Sequence, residues 1–374
     1  MAMTSAPGVI RDSIFRFLSA LERDATVAEI SDAVALQLGS VTASSVRSYL
    51  NSNAPEVFER TARGRYRIRS DAEANVRHVR LNPAVQSGLA ILYHADCFDW
   101  LASCAPNSIH AVVTDPPYGI VEYSEKELTK LRAGKGGVWR VPPSFDGNRR
   151  APLPRFTVLN EGDRDELYRF FRRLGTLLGR AVVPGGNVLV ASNPLLSHLV
   201  ASAMANAGLE LRGYLARLTM TMRGGDRPKN AHQDFPDVSV MPRSQWEPWV
   251  VLRRPLEGRV QDNLRKWKTG GFRRLSDEQP FGDVIRSSPT TRSERLIAPH
   301  PSLKPQNFLR QVVRASLPLG EGVILDPFAG SGSTLAAATA VGYPSIGVEA
   351  DPKFIRLASD AMPKLASLRQ IDPV

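Results

Sequence analysis

Residues 322–342 read GVILDPFAGSGSTLAAATAVG: an apolar strand, a glycine-containing turn and an alanine-rich helix. Gly330 and Gly332 let the backbone pass close to a ligand, and a helix beginning near Ser333 offers free N–H groups. The next strand, IGVEA, carries Glu349 at its end, 17 residues after Gly332. A carboxylate at that point can accept two hydrogen bonds from a ribose diol. The stretch therefore predicts a parallel α/β sheet with a nucleoside-containing ligand at its carboxyl edge.

The second motif is DPPYG, which follows the strand AVVT of residues 111–114. That strand delivers Asp115 to the carboxyl edge of the sheet, where ligands of open α/β folds bind. Pro116 and Pro117 lack N–H donors and fix φ, so the Pro116 carbonyl is held rigidly. Two adjacent acceptors match the two hydrogens of a planar amine, and Tyr118 supplies a ring to stack on its base. The alternative is an edge-strand terminator with a surface tyrosine.

The rest of the chain from residue 89 alternates strand and helix patterns, which is typical of a parallel α/β domain. Residues 8–69 differ, because they predict three short helices followed by a hairpin around Arg63-Gly64. Within them, Thr26 and Glu29 form a capping-box signature for a helix reaching about Leu38. This order resembles a winged helix-turn-helix module, whose third helix usually enters the major groove of DNA. Its charges balance, so docking to protein or dimerisation remains an alternative.

The net charge of +11 is concentrated in two segments. Residues 120–157 hold eight Lys and Arg against four acids, and residues 217–298 hold sixteen against ten. Surplus positive charge in loops favours a polyanion through phosphate contact and counterion release. A merely soluble basic surface is the alternative.

Other classes of protein find little support in the sequence. Two cysteines, Cys97 and Cys104, do not make a disulfide framework, and the six histidines lack a metal-binding pattern, so we expect no metal. The start MAMTSAPGVIRDSIF lacks a signal-peptide pattern, and no apolar run reaches membrane-helix length. These features predict no membrane association.

Three strings together resemble the amino-group DNA methyltransferases: DPPY (115–118), HPSLKP (300–305) and DPFAGSGST (326–334). They correspond to that family's catalytic motif IV, its motif X and its S-adenosylmethionine motif I. The order, catalytic before cofactor, is similar to the β class, a circular permutation of the methyltransferase fold. HADCFDWL (94–101) resembles motif III. Leu303 departs from the pattern, because many relatives have a polar residue there.

The resemblance, which covers roughly residues 90–365, implies a Rossmann-like methyltransferase fold with a mostly parallel, circularly permuted seven-stranded sheet. The pattern of residues 8–69 adds an N-terminal winged helix-turn-helix domain. It implies the following organisation: winged helix-turn-helix domain 1–70, linker 71–88, catalytic domain 89–374, mobile DNA-facing loop 120–157, and target recognition region about 220–298.

The resemblance also implies which residues act. The catalytic residues would be Asp115, Pro116, Pro117 and Tyr118. Residues that would bind S-adenosyl-L-methionine share the cofactor motifs: Asp96, Cys97, Phe98, Asp115, His300, Ser302, Lys304, Pro305, Asp326, Phe328, Ala329, Gly330, Ser331, Gly332, Ser333, Thr334, Glu349 and Ala350.

The expected activity is methylation of adenine N6 in double-stranded DNA after base flipping, because Asp at position 115 is commoner among adenine enzymes of the family. Cytosine-N4 methylation is the alternative, followed by an RNA substrate or a non-catalytic winged-helix regulator. We expect a homodimer in the bacterial cytoplasm, at the nucleoid, encoded by the bacterium or a phage. No nuclease is fused to the chain, so an orphan enzyme and one paired with a restriction nuclease both fit.

Overall fold

The computed structural model describes residues 13–14, 17–18, 21, 23–38, 43–52, 58–68, 83–117, 161–219, 225, 227–228, 230–300 and 302–369. The chain divides into two compact units, Met1–Arg80 and Leu81–Val374. In its described part, no helix is long and apolar enough to span a membrane.

The smaller unit contains helices and a three-stranded antiparallel sheet in the order β1-β3-β2. Its elements are β1 (Ala25–Thr26), α1 (Val27–Leu38), α2 (Ala43–Ser52), β2 (Phe58–Ala62) and β3 (Arg65–Ile68). The two later helices and the hairpin at Arg63-Gly64 are confirmed. Of the first predicted helix only part is described, and there Ile14 and Leu18 pack into the unit's core.

The capping box at the start of α1 is confirmed. The Thr26 hydroxyl accepts from the Glu29 backbone N–H at 3.2 Å, and Glu29 accepts in return from the Thr26 N–H at 2.7 Å. Both contacts satisfy backbone donors that a helix start otherwise leaves unpaired.

Thr26→Ala removes one half of this capping box, so we expect it to destabilise α1 by about 1 kcal/mol. Hydrogen exchange of the α1 amides in the intact chain measures the loss. Thr26→Ser keeps the hydroxyl and is the matched control. Equal protection in the two variants would show that the cap does not stabilise α1.

The larger unit is built on a nine-stranded sheet with the strand order β10-β8-β9-β7-β6-β11-β12-β5-β4. Its strands are β4 (Val85–Ser87), β5 (Ala90–His94), β6 (Ile109–Thr114), β7 (Val182–Ala191), β8 (Glu210–Leu218), β9 (Trp246–Arg253), β10 (Val284–Arg286), β11 (Ile324–Asp326) and β12 (Ser345–Glu349). Its helices are α3 (Cys97–Ser103), α4 (Glu161–Ala181), α5 (Ser197–Ala205), α6 (Val260–Trp267), α7 (Arg292–Ile297), α8 (Gln306–Ser316), α9 (Ser333–Val341) and α10 (Pro352–Ala366).

Most neighbouring strands are parallel, as the alternating pattern predicts. β9 runs against β7 and β8, and β4 runs against β5, while the remaining pairs are parallel. The two strands beyond the expected seven are the short edge strands β4 and β10, three residues each. The C-terminal strands β11 and β12 lie between β6 and β5, which come earlier in the chain.

Helices cover both faces of this sheet. One core cluster contains side chains of α3, α4 and α5, and a second contains side chains of α8 and α9. All ten residues of β7 are buried. A central strand whose two faces are both covered has few polar side chains, which explains the mostly apolar composition of VVPGGNVLVA.

The predicted linker 71–88 is wrong at its C-terminal end. Residues 85–87 form β4, which pairs with β5 through the turn at Gly88 and Leu89. The strand is only three residues long, too short for a detectable alternation. Gly88 supplies the positive φ of 58° that the turn requires.

Candidate active site

The two chemical motifs meet at the carboxyl edge of the sheet. β6 lies beside β11 and β11 beside β12, all parallel. Asp115 follows the last residue of β6, Asp326 ends β11 and Glu349 ends β12. Three carboxylates from distant parts of the sequence therefore arrive at adjacent strand ends, where open α/β sheets bind ligands.

A cavity of about 260 Å³ opens at this edge. Its lining combines Asp115, Pro116 and Pro117 with residues of the cofactor motifs: His300, Ser302, Lys304, Asp326, Phe328, Ala329, Gly330, Ser331, Ser333, Thr334 and Glu349. Three further lining residues, Trp249, Leu309 and Phe354, were missed because apolar side chains in strand and helix patterns look like ordinary core. Six predicted cofactor residues do not line the cavity: Asp96, Cys97, Phe98, Pro305, Gly332 and Ala350.

Asp115 is held by a buried ion pair with Lys304. The Lys304 ammonium donates to Asp115 Oδ2 at 2.6 Å, and the two side chains are only 10% and 15% exposed. Burial alone would lower the pKa of Lys304, but the charges of Asp115 and Glu247 outweigh it, so that pKa is raised. Lys304 is therefore a permanent cation, and it contacts the carboxylate that we predict to be catalytic.

Two further charged side chains, Glu247 and Arg217, extend this ion pair. Lys304 Nζ lies 3.3 Å from Glu247 Oε1, and Glu247 Oε2 accepts from Arg217 Nη1 at 2.6 Å. Burial opposes ionisation of Glu247, but Lys304 and Arg217 overcome it, and the pKa of Glu247 is lowered. We did not identify Glu247 or Arg217 from the sequence. The sequence signal for them was a single charged residue in an otherwise apolar strand pattern: Glu247 in WEPWVV and Arg217 in LARL.

Asp326 has a different environment from Asp115. It is 3% exposed, and its Oδ1 accepts from the Thr114 hydroxyl at 2.7 Å and the Phe328 N–H at 3.1 Å. Burial raises the pKa of Asp326 to about 6, against the lowering effect of its hydrogen bonds. The carboxyl therefore changes charge close to physiological pH.

This raised pKa predicts how stability depends on pH. The folded chain binds a proton at Asp326 up to about pH 6, whereas the unfolded chain releases it near 3.8. Stability should fall as pH rises through that window, by about 3 kcal/mol for this group. Asp326→Asn removes the titration, so the variant should gain about that much relative to wild type between pH 4 and pH 7.

Denaturant unfolding at a series of pH values measures this difference. Asp360→Asn changes an exposed carboxyl on α10 and is the control. A constant gap between wild type and Asp326→Asn from pH 4 to pH 7 would contradict the raised pKa of Asp326.

The glycine turn is organised around Glu349. Glu349 Oε2 accepts from the Gly330 N–H and Oε1 from the Asp351 N–H, each at 2.8 Å. Gly330 and Gly332 have φ of 51° and 78°, in the left-handed region that favours glycine. A Cβ on Gly332 would lie 2.4 Å from Met362 Cγ, so α10 packs directly against the turn. Each Glu349 oxygen keeps a second lone pair for a ligand.

His300 borders the turn as a neutral ring. Its Nε2 would lie 3.2 Å from a Cβ on Gly330, and its Nδ1 accepts from the Ser302 N–H at 3.2 Å. The ring packs edge-on against Phe354, with centroids 4.4 Å apart. Burial, and then the charge of Lys304, lower the pKa of His300 to about 4.

The predicted motif III residues have structural contacts in this conformation. Asp96 caps α3 by accepting from the Phe98 N–H at 2.8 Å. The Phe98 ring packs edge-on against Phe170 and lies under the Arg173 guanidinium, 4.3 Å from its centroid. Cys97 is buried, and burial raises the pKa of its thiol. His94 Nε2 lies 3.1 Å from the backbone oxygen of Ala350. Pro305 precedes α8 as its N-cap residue.

The predicted target recognition region occupies both edges of the sheet. The segment between β8 and β9 and the residues after β10 lie at the carboxyl edge, with Asp115. Residues 254–275 lie at the amino edge instead, because Thr269 donates to Pro184 O and Asn187 donates to Gly271 O near the start of β7. The basic string RKWKTGGFRR therefore lies at the opposite edge of the sheet from the cavity, and its role in DNA recognition stays a prediction. Two of its basic side chains form surface ion pairs, Arg265 with Asp262 and Lys266 with Glu257.

Tyr118, the loop 120–157 and most of the linker lie outside the described residues. Among the residues that are described, no group of three or more His, Cys, Asp or Glu side chains could hold a metal ion.

Comparison with known proteins relates the chain to a family of DNA methylases. The DNA methylase family model for N6 and N4 enzymes matches residues 220–360. The type II methyltransferase M2.DpnII of Streptococcus pneumoniae is 24% identical over 280 residues, covering 74% of this chain and 90% of the relative. The DNA adenine methyltransferase YhdJ of Escherichia coli is 41% identical over 58 residues, 16% of this chain and 19% of the relative. The solved cytosine-N4-specific PvuII DNA methyltransferase shares the fold, with a TM-score of 0.50 and 13% identity, covering 78% of this chain and 91% of that one.

This chain is therefore similar to the N6/N4 amino-group DNA methyltransferases. S-adenosyl-L-methionine is accordingly its methyl-donating cofactor.

The cavity fits that cofactor chemically. Asp326 and Glu349 add carboxylates beyond the one that Lys304 neutralises, which suits a positively charged sulfonium. Trp249 also lines the cavity, and its buried indole N–H has no acceptor in the described part of the chain. Gly330, without a Cβ, leaves the His300 ring exposed to the turn.

Proposed function

We propose that this protein methylates the exocyclic N6 of adenine in double-stranded DNA. The supporting observation is that Asp115 and Pro116 line one cavity with the glycine turn at residues 329–331. The amine-binding and cofactor-binding motifs are separated by 211 residues between Asp115 and Asp326, yet no packed layer divides them.

The proposed chemistry begins with hydrogen bonding to the amine. Its nitrogen is a poor nucleophile because its lone pair is delocalised into the ring. Asp115 and the Pro116 carbonyl would accept its two hydrogens and favour a pyramidal nitrogen. The bound cofactor supplies an electrophilic methyl group. Catalysis is then mainly positioning and electrostatics, and Asp115 or water takes the proton released from the methylated nitrogen.

Asp115 acts here as an oriented acceptor of low basicity. Oδ2 already accepts from Lys304, so the amine would use the remaining acceptor capacity of the carboxylate. A cation at 2.6 Å keeps Asp115 ionised while it binds the amine. A strong base is unnecessary, because the methylated aminium is itself acidic.

The cofactor-binding assignment follows the cavity lining. We assign S-adenosyl-L-methionine to the turn at Phe328–Ser331, to Glu349 for the ribose, and to His300 and Ser302 beside the turn. Asp96 and Phe98 follow β5, next to β12 in the sheet. They remain candidates for the adenine end of the cofactor.

DNA would approach the carboxyl edge, because the amine acceptors lie there. The target base must leave the stack, at a cost of a few kcal/mol, and Tyr118 would offset about 1–3 kcal/mol by stacking. We narrow the target recognition region to residues 219–245 and 287–300, which start and end at that edge. The winged-helix reading of residues 1–70 supplies a second DNA-binding candidate, with protein docking as its alternative. The homodimer and the cytoplasmic location at the nucleoid remain part of this proposal.

The choice of adenine rests on Asp115 and on the relative YhdJ, a DNA adenine methyltransferase. Sequencing of modified bases in DNA from cells expressing the protein, with digestion to nucleosides, tests it. N6-methyldeoxyadenosine at one sequence is the expected product. N4-methyldeoxycytidine would overturn the adenine assignment alone, and unmodified DNA would overturn the catalytic proposal.

Asp115→Ala should lower methyl transfer by at least about 100-fold, because it removes a preorganised acceptor at the reacting nitrogen. Calorimetric titration with S-adenosyl-L-methionine should still show binding. Asp262→Ala, on the exposed surface of α6, is the control. Near-normal turnover of Asp115→Ala would contradict the mechanism.

A further inference from the structure

The base of the recognition segment contains a buried pair of opposite charges. Residues 219–245 leave the sheet after β8 and return at β9. Arg217 and Glu247 lie opposite each other on these two strands, one step inside the segment's ends. Both residues are less than 10% exposed.

This pair is joined to the catalytic carboxylate through one ammonium group. Lys304 Nζ lies 2.6 Å from Asp115 Oδ2 and 3.3 Å from Glu247 Oε1. Glu247 in turn is fixed by Arg217, whose Nε also donates to the Ser287 hydroxyl at 3.0 Å. Charges therefore alternate along the row Asp115, Lys304, Glu247, Arg217.

We propose that Glu247 is a positioning residue for methyl transfer, which holds Lys304 against Asp115 from the base of segment 219–245. This inference rests on the proposed role of Asp115 as the acceptor of the target amine. Glu247 does not line the cavity, so its effect passes through Lys304.

The physical reason is that a lysine side chain has four flexible carbon–carbon bonds and one charged end. With carboxylates on both sides, the ammonium is fixed in direction as well as in place. Removing the charge of Glu247 leaves Arg217 and Lys304 as two buried cations with Asp115 as the nearest carboxylate on the cavity side. Asp115 would then be drawn toward the cations and away from the amine, and an error of about 1 Å costs about 100-fold in rate.

Glu247→Gln tests this, because it keeps the shape of the side chain and removes its charge. The single-turnover rate of methyl transfer should fall about 100-fold, while the KM for DNA and the Kd for S-adenosyl-L-methionine change less than about threefold.

Glu210→Gln is the matched control. Glu210 pairs with Arg253 across the same two strands, at their amino-edge end. The substitution Glu210→Gln therefore removes a cross-strand Arg–Glu ion pair from the same two strands, and it leaves Lys304 and its contacts in place. Its single-turnover rate should match that of wild type, even if its stability falls.

Glu247→Asp provides a second variant if Glu247→Gln does not fold. It keeps the charge but withdraws the carboxylate from Lys304 by one methylene, and the expected loss is about 10-fold in single-turnover rate. Wild-type rates in a folded Glu247→Gln, or equal losses in Glu210→Gln and Glu247→Gln, would overturn the positioning role. If wild type itself methylates no DNA, the proposed function has failed instead.

Discussion

The candidate active site depends on a buried cation, Lys304, placed beside the carboxylate of Asp115, the residue that follows β6. Removing an ammonium and a carboxylate from water costs several kcal/mol per ion, and attraction repays this only with good geometry and further hydrogen bonds. The Lys304–Asp115 pair meets that condition because Glu247 and Arg217 extend it into an alternating row. Such a row contributes little net stability compared with apolar packing. Its benefit is orientation, because Lys304 and Glu247 are each held between two groups of opposite charge.

The row also explains why the helices and strands around the cavity are arranged as they are. Lys304 precedes α8, whose Gln306 donates to Ser333 O at the start of α9, at 2.9 Å. The Phe308 ring of α8 packs against Trp249 and lies under Arg217. The helix that carries Lys304 is thereby fixed both to the glycine turn and to β8 and β9. One packed unit therefore positions Lys304 and the glycine turn together.

Sequence alone predicted the parts of this structure that have local signals. The capping box of Thr26 and Glu29, the hairpin at Arg63-Gly64 and the strand–turn–helix at residues 322–342 were found because specific residue types are required there. The strand β4 was missed, since three residues carry no periodicity. Glu247 and Arg217 were missed because a charge in a strand looks exposed until its partner on another strand is known. The position of the basic string at 265–274 was not foreseen for a related reason: composition records charge, whereas strand direction decides which edge of the sheet a loop reaches.

The position of α6 at the amino edge of the sheet has a practical consequence. The segment after β9 turns back at the amino edge, and there α6 presents Arg259 and Arg265 to solvent, 74% and 75% exposed. The full height of the sheet separates these side chains from the cavity mouth. A dye or surface tether attached at α6 would thus leave the mouth unobstructed, so single molecules could be immobilised in a known orientation.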